Sequence, residues 1–138
     1  MDRLAERLTV AAKALATFGE LVDLTEPQPN QRDAAIKRFE YSFEAIWKAA
    51  QHCLRQLDGI EVASPKGVIR ACRQAGLLTD PESAAALAMV DDRNLATHTY
   101  NETLAASLYR RLGEHHRLLE AWLRRLGDRA RTLGQLVT

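Results

Sequence analysis

Leu4, Leu8, Ala11, Leu15, Phe18 and Val22 recur at alternating steps of four and three, the heptad seam of a helix that faces partner helices. The segment Glu-Pro-Gln-Pro-Asn at 26–30 ends that pattern, because proline disfavours helix in the residue before it and has no amide to donate. A second stripe, running from Ile36 through Phe39, Phe43, Ile46 and Trp47 to Leu57, predicts a helix that starts near Asn30 or Gln31 and stops at Asp58-Gly59. It holds three of the chain's five Phe and Trp residues and is therefore the expected centre of the core. Ser64-Pro65 reads as the N-cap and first position of a short helix over 65–75, closed by Gly76. Asp80-Pro81 repeats that start signal, with Glu82 in the first turn, and opens a helix to roughly His98. The last helix begins at Asn101 or Glu102 and runs into the 130s through Leu104, Leu108, Leu112, His115, Leu119, Trp122, Leu126 and Leu133.

Short connections favour antiparallel neighbours, so the pattern predicts an all-α, up-and-down bundle of four long helices plus one short one. A length of 138 residues fits a single domain, 1–138, with no internal repeat. Composition agrees: Ala and Leu supply 42 residues while Ile and Val supply ten, which excludes an all-β fold and disfavours a parallel α/β sheet. The formal net charge of +1 argues against a bulk electrostatic nucleic-acid binder but leaves room for a local basic site. Cys53 and Cys72 have no C-x-x-C or zinc-ligand spacing, and two cysteines are too few for a secreted disulfide scaffold. The charged start carries no leader-like apolar stretch, and the longest apolar run, 84–90, is far too short to cross a bilayer. The expectation is a soluble cytoplasmic protein without a membrane association.

Most chemical signatures are missing. No phosphate-binding glycine loop, H-E-x-x-H or G-x-S-x-G is present, and neither a metal nor a cofactor is expected. The doublet His115-His116 sits inside a helix, where adjacent positions diverge by ~100°, so one ring is expected to be packed and the other on the surface. The last helix is basic, with Arg110, Arg111, Arg117, Arg124, Arg125, Arg129 and Arg131 against Glu114, Glu120 and Asp128. Such a stripe either attracts phosphate backbones, with Arg110, Arg111 and Arg117 as the candidate RNA contacts, or is simply a solvated helix face.

The segment Asp-Asp-Arg-Asn-Leu-Ala-Thr-His-Thr-Tyr-Asn-Glu at 91–102 concentrates the remaining chemistry at a helix end. A guanidinium can clamp a phosphate and hold the extra charge of a five-coordinate transition state. An imidazole can move the proton of a ribose 2′-hydroxyl or of a leaving 5′-oxygen near neutral pH. Arg93 and His98 are thus a minimal set for metal-free RNA cleavage, and Asn94 shares a helix face with His98. Five residues apart, Arg93 and His98 diverge by about 140° in a regular helix. A twofold dimer would pool two such pairs in one cleft. The alternative is a polar cluster that only caps a helix.

Arg93, His98 and Tyr100 also make an R-x4-H-x-Y pattern that resembles the motif of the HEPN superfamily, and more narrowly its HepT-like, nucleotidyltransferase substrate-binding branch. Two further blocks resemble that branch in the same order: R-D-A-A-I-K-R-F-E-Y-S-F-E-A-I-W-K at 32–48 and S-P-K-G-V-I-R-A-C-R-Q-A-G-L at 64–77. The resemblance implies a helical bundle that forms a homodimer with its motifs facing across a cleft. It implies a metal-independent ribonuclease toxin paired with a minimal nucleotidyltransferase antitoxin. Arg93 would stabilise the phosphate, His98 would act as general acid or base, and Asn94 would orient the phosphate or the imidazole. Tyr100 would be the residue that the partner modifies with AMP, a role that rests on the resemblance alone. The alternative it leaves open is a non-catalytic subunit that binds substrate for the nucleotidyltransferase.

Overall fold

A computed structural model describes residues 3–137 of the chain, with side chains as far as Leu133; Met1, Asp2 and Thr138 of the expected single domain lie outside the described residues. Five α-helices follow one another: α1 (Arg3–Gly19), α2 (Pro29–Asp58), α3 (Pro65–Gln74), α4 (Asp80–Leu95) and α5 (Glu102–Val137), with a 3₁₀ turn at Ala96–His98 before α5. No strand occurs among the described residues, and the all-α, up-and-down bundle is the architecture that the hydrophobic pattern predicts.

The element ends follow from local chemistry. Pro29 occupies the first position of α2, while the Gln31 side chain accepts the Gln28 amide at 2.8 Å. Gly59 ends α2 with φ +67°, and the Ile60 amide returns to the Leu54 carbonyl at 3.0 Å. Ser64 caps α3 by accepting the Gly67 amide at 3.1 Å, as expected. Three boundaries differ from the expectation, one of them the end of α4, which gives way after Leu95 to the 3₁₀ turn and does not reach His98 as α-helix. The cap of α4 is Thr79 and not Asp80: Thr79 accepts the Glu82 amide at 3.2 Å and Glu82 accepts the Thr79 amide at 2.8 Å, a reciprocal pair that a T-x-x-E sequence makes and Asp80 cannot. The first helix stops at Gly19, short of Val22, because the chain turns through i−3 bonds from Glu20 to Thr17 and from Leu21 to Phe18. Leu21, Val22 and Leu24 still pack on the core, but as loop residues.

α2 is central as expected: it touches every other helix and the 3₁₀ turn. α1, α2 and α5 pack on one another, and α3 and α4 close the remaining side of α2. Phe18, Phe39, Phe43 and Trp122 are fully buried in this core, with Phe39 between Phe18 and Phe43 at centroid distances of 6.0 and 6.4 Å. Burying a ring of that size contributes roughly 2–3 kcal/mol relative to leaving it exposed. Cys53 and Cys72 are buried too, and loss of hydration pushes their thiols up to about 11 and about 12, so they serve as small apolar side chains.

The arginines of α5 join the helices. Arg125 holds the Glu82 carboxylate with two nitrogens and reaches the Leu77 carbonyl at 3.3 Å. Arg129 pairs with Asp58, the last residue of α2, and donates to the Ala75 carbonyl at the end of α3 at 3.2 Å. The Arg125 hydrogen bond is the main cause that lowers the Glu82 carboxyl to about 2, from its ordinary 4.5, against a smaller opposing effect of burial. A depressed carboxyl adds stability above its ordinary value and loses it as pH falls through the folded value. Glu82→Gln is therefore expected to cost roughly 1–2 kcal/mol at neutral pH. Urea midpoints measured from pH 5 to pH 2 should then fall less steeply for the variant than for the wild type, and parallel profiles would show that the clasp adds nothing.

Candidate functional site

The 91–102 segment joins the last turn of α4 to the start of α5, and its backbone is tightly specified. The Ala96 amide bonds the carbonyls of Arg93 and Asp92, the Thr97 hydroxyl donates to the Asn94 carbonyl at 3.2 Å, and the Asn101 amide reaches the His98 carbonyl at 3.1 Å. These contacts wind the chain into the 3₁₀ turn. The Asn101 side chain then caps α5 by accepting the Leu104 amide at 3.1 Å. Ala96 is buried and ties the turn to the core.

Asp92 anchors the segment from below. Arg111 grips its carboxylate through Nε and Nη2, each at 2.8 Å, and His115 Nε2 lies 2.7 Å from Oδ2. The His115 ring stacks on Phe39 with centroids 5.3 Å apart. Burial on its own would raise the Asp92 carboxyl, but the hydrogen bonds and charges of Arg111 and His115 outweigh it and hold the group below its ordinary value. The same pairing raises the Arg111 guanidinium.

Arg93, next in sequence, turns toward α2. Its Nη1 is 3.5 Å from Glu44 Oε2, and its guanidinium carbon lies 5.5 Å from the centre of the Phe43 ring. Glu44 also accepts from Trp47 Nε1 at 2.9 Å and pairs with Lys48 at 3.1 Å. Burial opposes ionisation of Glu44, yet Trp47, Lys48 and Arg93 together keep its carboxyl below the ordinary value.

Asn94 and His98 are exposed. His98 Nδ1 sits 3.2 Å from the hydroxyl of Tyr100, and the two rings meet edge to face with centroids 5.7 Å apart. Tyr100 is 82% exposed, more than any other large apolar or aromatic side chain among the described residues. The 3₁₀ winding does not unite Arg93 with His98: no hydrogen bond joins them, one engaging α2 and the other Tyr100. The geometry thus offers an exposed phenol with an imidazole nitrogen in position to receive its proton.

The three arginines read as RNA contacts have different surroundings. Arg111 is committed to Asp92, Arg117 pairs with Asp23 at 2.9 Å, and Arg110 is exposed without a hydrogen bond or ion pair among the described residues. The basic stripe is neither free nor merely solvated, since most of it clasps other elements. The histidine doublet is also packed more fully than expected. His115 is buried, and His116 is half-buried, edge-on to Phe18 and 3.2 Å from the Leu15 carbonyl, where Gly19 makes room for its ring. The participation of Glu44 was missed in the sequence, although its spacing of three and four to Trp47 and Lys48 is a helical-neighbour signal. No three His, Cys, Asp or Glu side chains among the described residues gather as metal ligands would, and no described helix is long and apolar enough to cross a membrane.

A helical bundle with a polar Arg–His–Tyr segment at the α4–α5 junction defines the class, and comparison with known proteins defines the family. Residues 6–128 match the family described as nucleotidyltransferase substrate binding protein like, and the chain belongs to it. A Thermus thermophilus protein of known crystal structure is 59% identical, with a TM-score of 0.82 over 84% of this chain and 98% of that one. A Haemophilus influenzae protein, described as having the fold of a substrate binding domain of a nucleotidyltransferase, is 25% identical, with a TM-score of 0.75 over 86% of this chain and 98% of that one. The fold is shared with a tri-AMPylated Shewanella oneidensis HEPN toxin solved in complex with its MNT antitoxin, at 20% identity and a TM-score of 0.75 over 93% of this chain and 99% of that one. No curated protein sequence matches the chain.

Removing the Asp92 carboxylate leaves Arg111 and His115 without their shared acceptor. Asp92→Ala is expected to cost roughly 2–4 kcal/mol in urea unfolding. Hydrogen exchange of the amides from Ala96 to Asn101 should speed up with it; unchanged exchange there would show that Asp92 does not hold the segment.

Proposed function

We propose that this protein is the binding subunit of a nucleotidyltransferase and presents the Tyr100 hydroxyl as the acceptor of a transferred AMP group. The observation that carries this reading is the exposed phenol with His98 Nδ1 at 3.2 Å. Membership of the substrate-binding family and the AMPylated state of the Shewanella relative support the same direction. In the step, the phenol oxygen attacks the α-phosphorus of ATP held by the transferase, and the bond to the β-phosphate breaks. Pyrophosphate leaves with the electron pair of that bond, and the phenol proton passes to His98. Neither Arg93 nor a second copy of the chain is required.

A second reading, a metal-independent endoribonuclease toxin that uses Arg93, His98 and Asn94, is favoured by one observation: an exposed imidazole and a partly exposed guanidinium lie in the same short segment. Within one chain Arg93 is directed at Glu44, so this reading needs a homodimer in which one copy's Arg93 faces RNA beside the other's His98.

Incubation with the partner nucleotidyltransferase, ATP and Mg²⁺, followed by intact mass and peptide mapping, tests the first reading. Wild type should gain AMP at Tyr100 and Tyr100→Phe should gain none there. His98→Ala should react about a hundredfold more slowly. AMP placed on another residue at the wild-type rate in Tyr100→Phe overturns the assignment. An RNA-cleavage assay in EDTA on unmodified protein separates the readings: cleavage by wild type that disappears in both His98→Ala and Arg93→Ala would replace the first by the second.

A further inference from the structure

The connection between α1 and α2 is irregular yet firmly held by α5. The Tyr109 hydroxyl donates to the Leu21 carbonyl at 2.6 Å and accepts the Leu24 amide at 3.0 Å. Asp23 adopts φ +58°, an uncommon conformation for a non-glycine residue, and its carboxylate pairs with Arg117. That carboxylate lies against Gly113, where a Cβ would come within 2.1 Å of Oδ1, so only glycine admits this approach. Three fixed points on one helix make the loop a built wall.

Behind this wall is a cavity of about 660 Å³, lined among others by Leu24, Thr25, Pro27, Arg32, Ala106 and Arg110. Its charges are unbalanced. The Asp23 carboxylate is already taken by Arg117. The Arg32 side chain is only 17% exposed, its Nε is shut off from solvent with no hydrogen-bond partner, and its one nearby carboxylate is the exposed Asp33 at 3.8 Å. Arg110, like Arg124, has no partner among the described residues, whereas Arg111, Arg117, Arg125 and Arg129 of the same helix each hold a carboxylate; of the two, Arg110 lines this cavity. A shielded guanidinium nitrogen without an acceptor is costly, and here a second guanidinium without a partner, Arg110, lines the same cavity.

We propose that this cavity binds a phosphate ester of nucleotide size. Arg32 and Arg110 clamp the phosphate from two sides, as planar guanidinium forks do, and the Thr25 hydroxyl is a further donor at the rim. Leu24, Pro27 and Ala106 receive the apolar part of the ligand. The volume lies in the range of small-molecule sites, roughly 300–1,000 Å³. The site shares no residue with the Tyr100 reading and goes beyond it.

The test is an amide-shift titration of the ¹⁵N-labelled full chain with ATP in EDTA, with adenosine and inorganic phosphate as separate probes. ATP should give saturable shifts at Leu24, Thr25, Arg32, Ala106 and Arg110, and adenosine should give none there. Arg110→Gln, which alters an exposed side chain and leaves the core intact, should weaken ATP about tenfold, the value of one charged hydrogen-bonding partner. Tyr100→Phe should bind as wild type does, so loss of the Tyr100 reading leaves this one standing. Phosphate that binds the same amides more weakly than ATP supports an organic ester, and equal affinity reassigns the site to free phosphate. Shifts confined to other residues, or ATP affinity unchanged in Arg110→Gln, overturn the proposal.

Discussion

The helix that leads into the Arg–His–Tyr segment has little apolar surface with which to hold itself in place. α4 buries Ser83, Ala86, Met89, Val90 and Asp92, so its sizeable apolar side chains on the core are Met89 and Val90, with Leu87 partly buried beside them. α2, by contrast, buries Ile36, Phe39, Phe43, Ile46, Trp47 and Leu54 along its length. The attachment of α4 therefore falls to carboxylates at its two ends. Glu82 engages Arg125 near the start, and Asp92 engages Arg111 and His115 near the finish. Ion pairs between exposed groups contribute little, but both carboxylates are largely sheltered and each meets a two-pronged guanidinium. With the backbone pinned at Asp92, the residues that follow have a fixed origin from which to place Arg93, His98 and Tyr100.

The same arrangement explains how a chain of near-zero net charge carries so basic a last helix. Arg117, Arg125 and Arg129 reach carboxylates that lie far away in sequence, on the first loop, on α4 and at the end of α2. α5 touches α1, α2 and α4, and its cations add polar ties to the apolar packing between them. The charge a nucleic acid would need is thus already spoken for along most of this helix. Arg110 and Arg124 hold no carboxylate among the described residues, and Arg110 lies beside a second under-bonded arginine, where a small anion fits better than a polymer.

What could be read from the sequence divides along the range of the forces involved. Helix starts and stops at Ser64, Gly59 and Asn101 depend on contacts within three to six residues, and the sequence contains all the partners. The central place of α2 follows from its aromatic load. The end of α1 was overextended because Val22 keeps the apolar rhythm, while the force that bends the chain there comes from Tyr109, 88 residues from Leu21. Asp92 lay inside the polar cluster without a role, since its partners are 19 and 23 residues away on another helix. For the same reason Arg111 looked available. The His98–Tyr100 contact spans only two residues, yet its geometry depends on a 3₁₀ turn that ordinary helical spacing does not anticipate.

Arg93 bears on how the two functional readings relate. Its bond to Glu44 is long, at 3.5 Å, its Nε is shielded without an acceptor, and the side chain is still 30% exposed. A phosphate that approached from solvent would offer this guanidinium better hydrogen bonds than Glu44 does, so its present position is weakly held. His98 is not in that situation, because Tyr100 occupies its Nδ1 directly. Attaching AMP at Tyr100 would replace a neutral hydroxyl beside that nitrogen with a phosphodiester anion. That anion, with the nucleoside behind it, would stand against the imidazole and repel a second phosphate that approached it. The two readings therefore make opposite demands on one side chain: the binding-subunit reading needs Tyr100 as an acceptor that carries AMP, and the nuclease reading needs it bare, with nothing between His98 and an incoming phosphate.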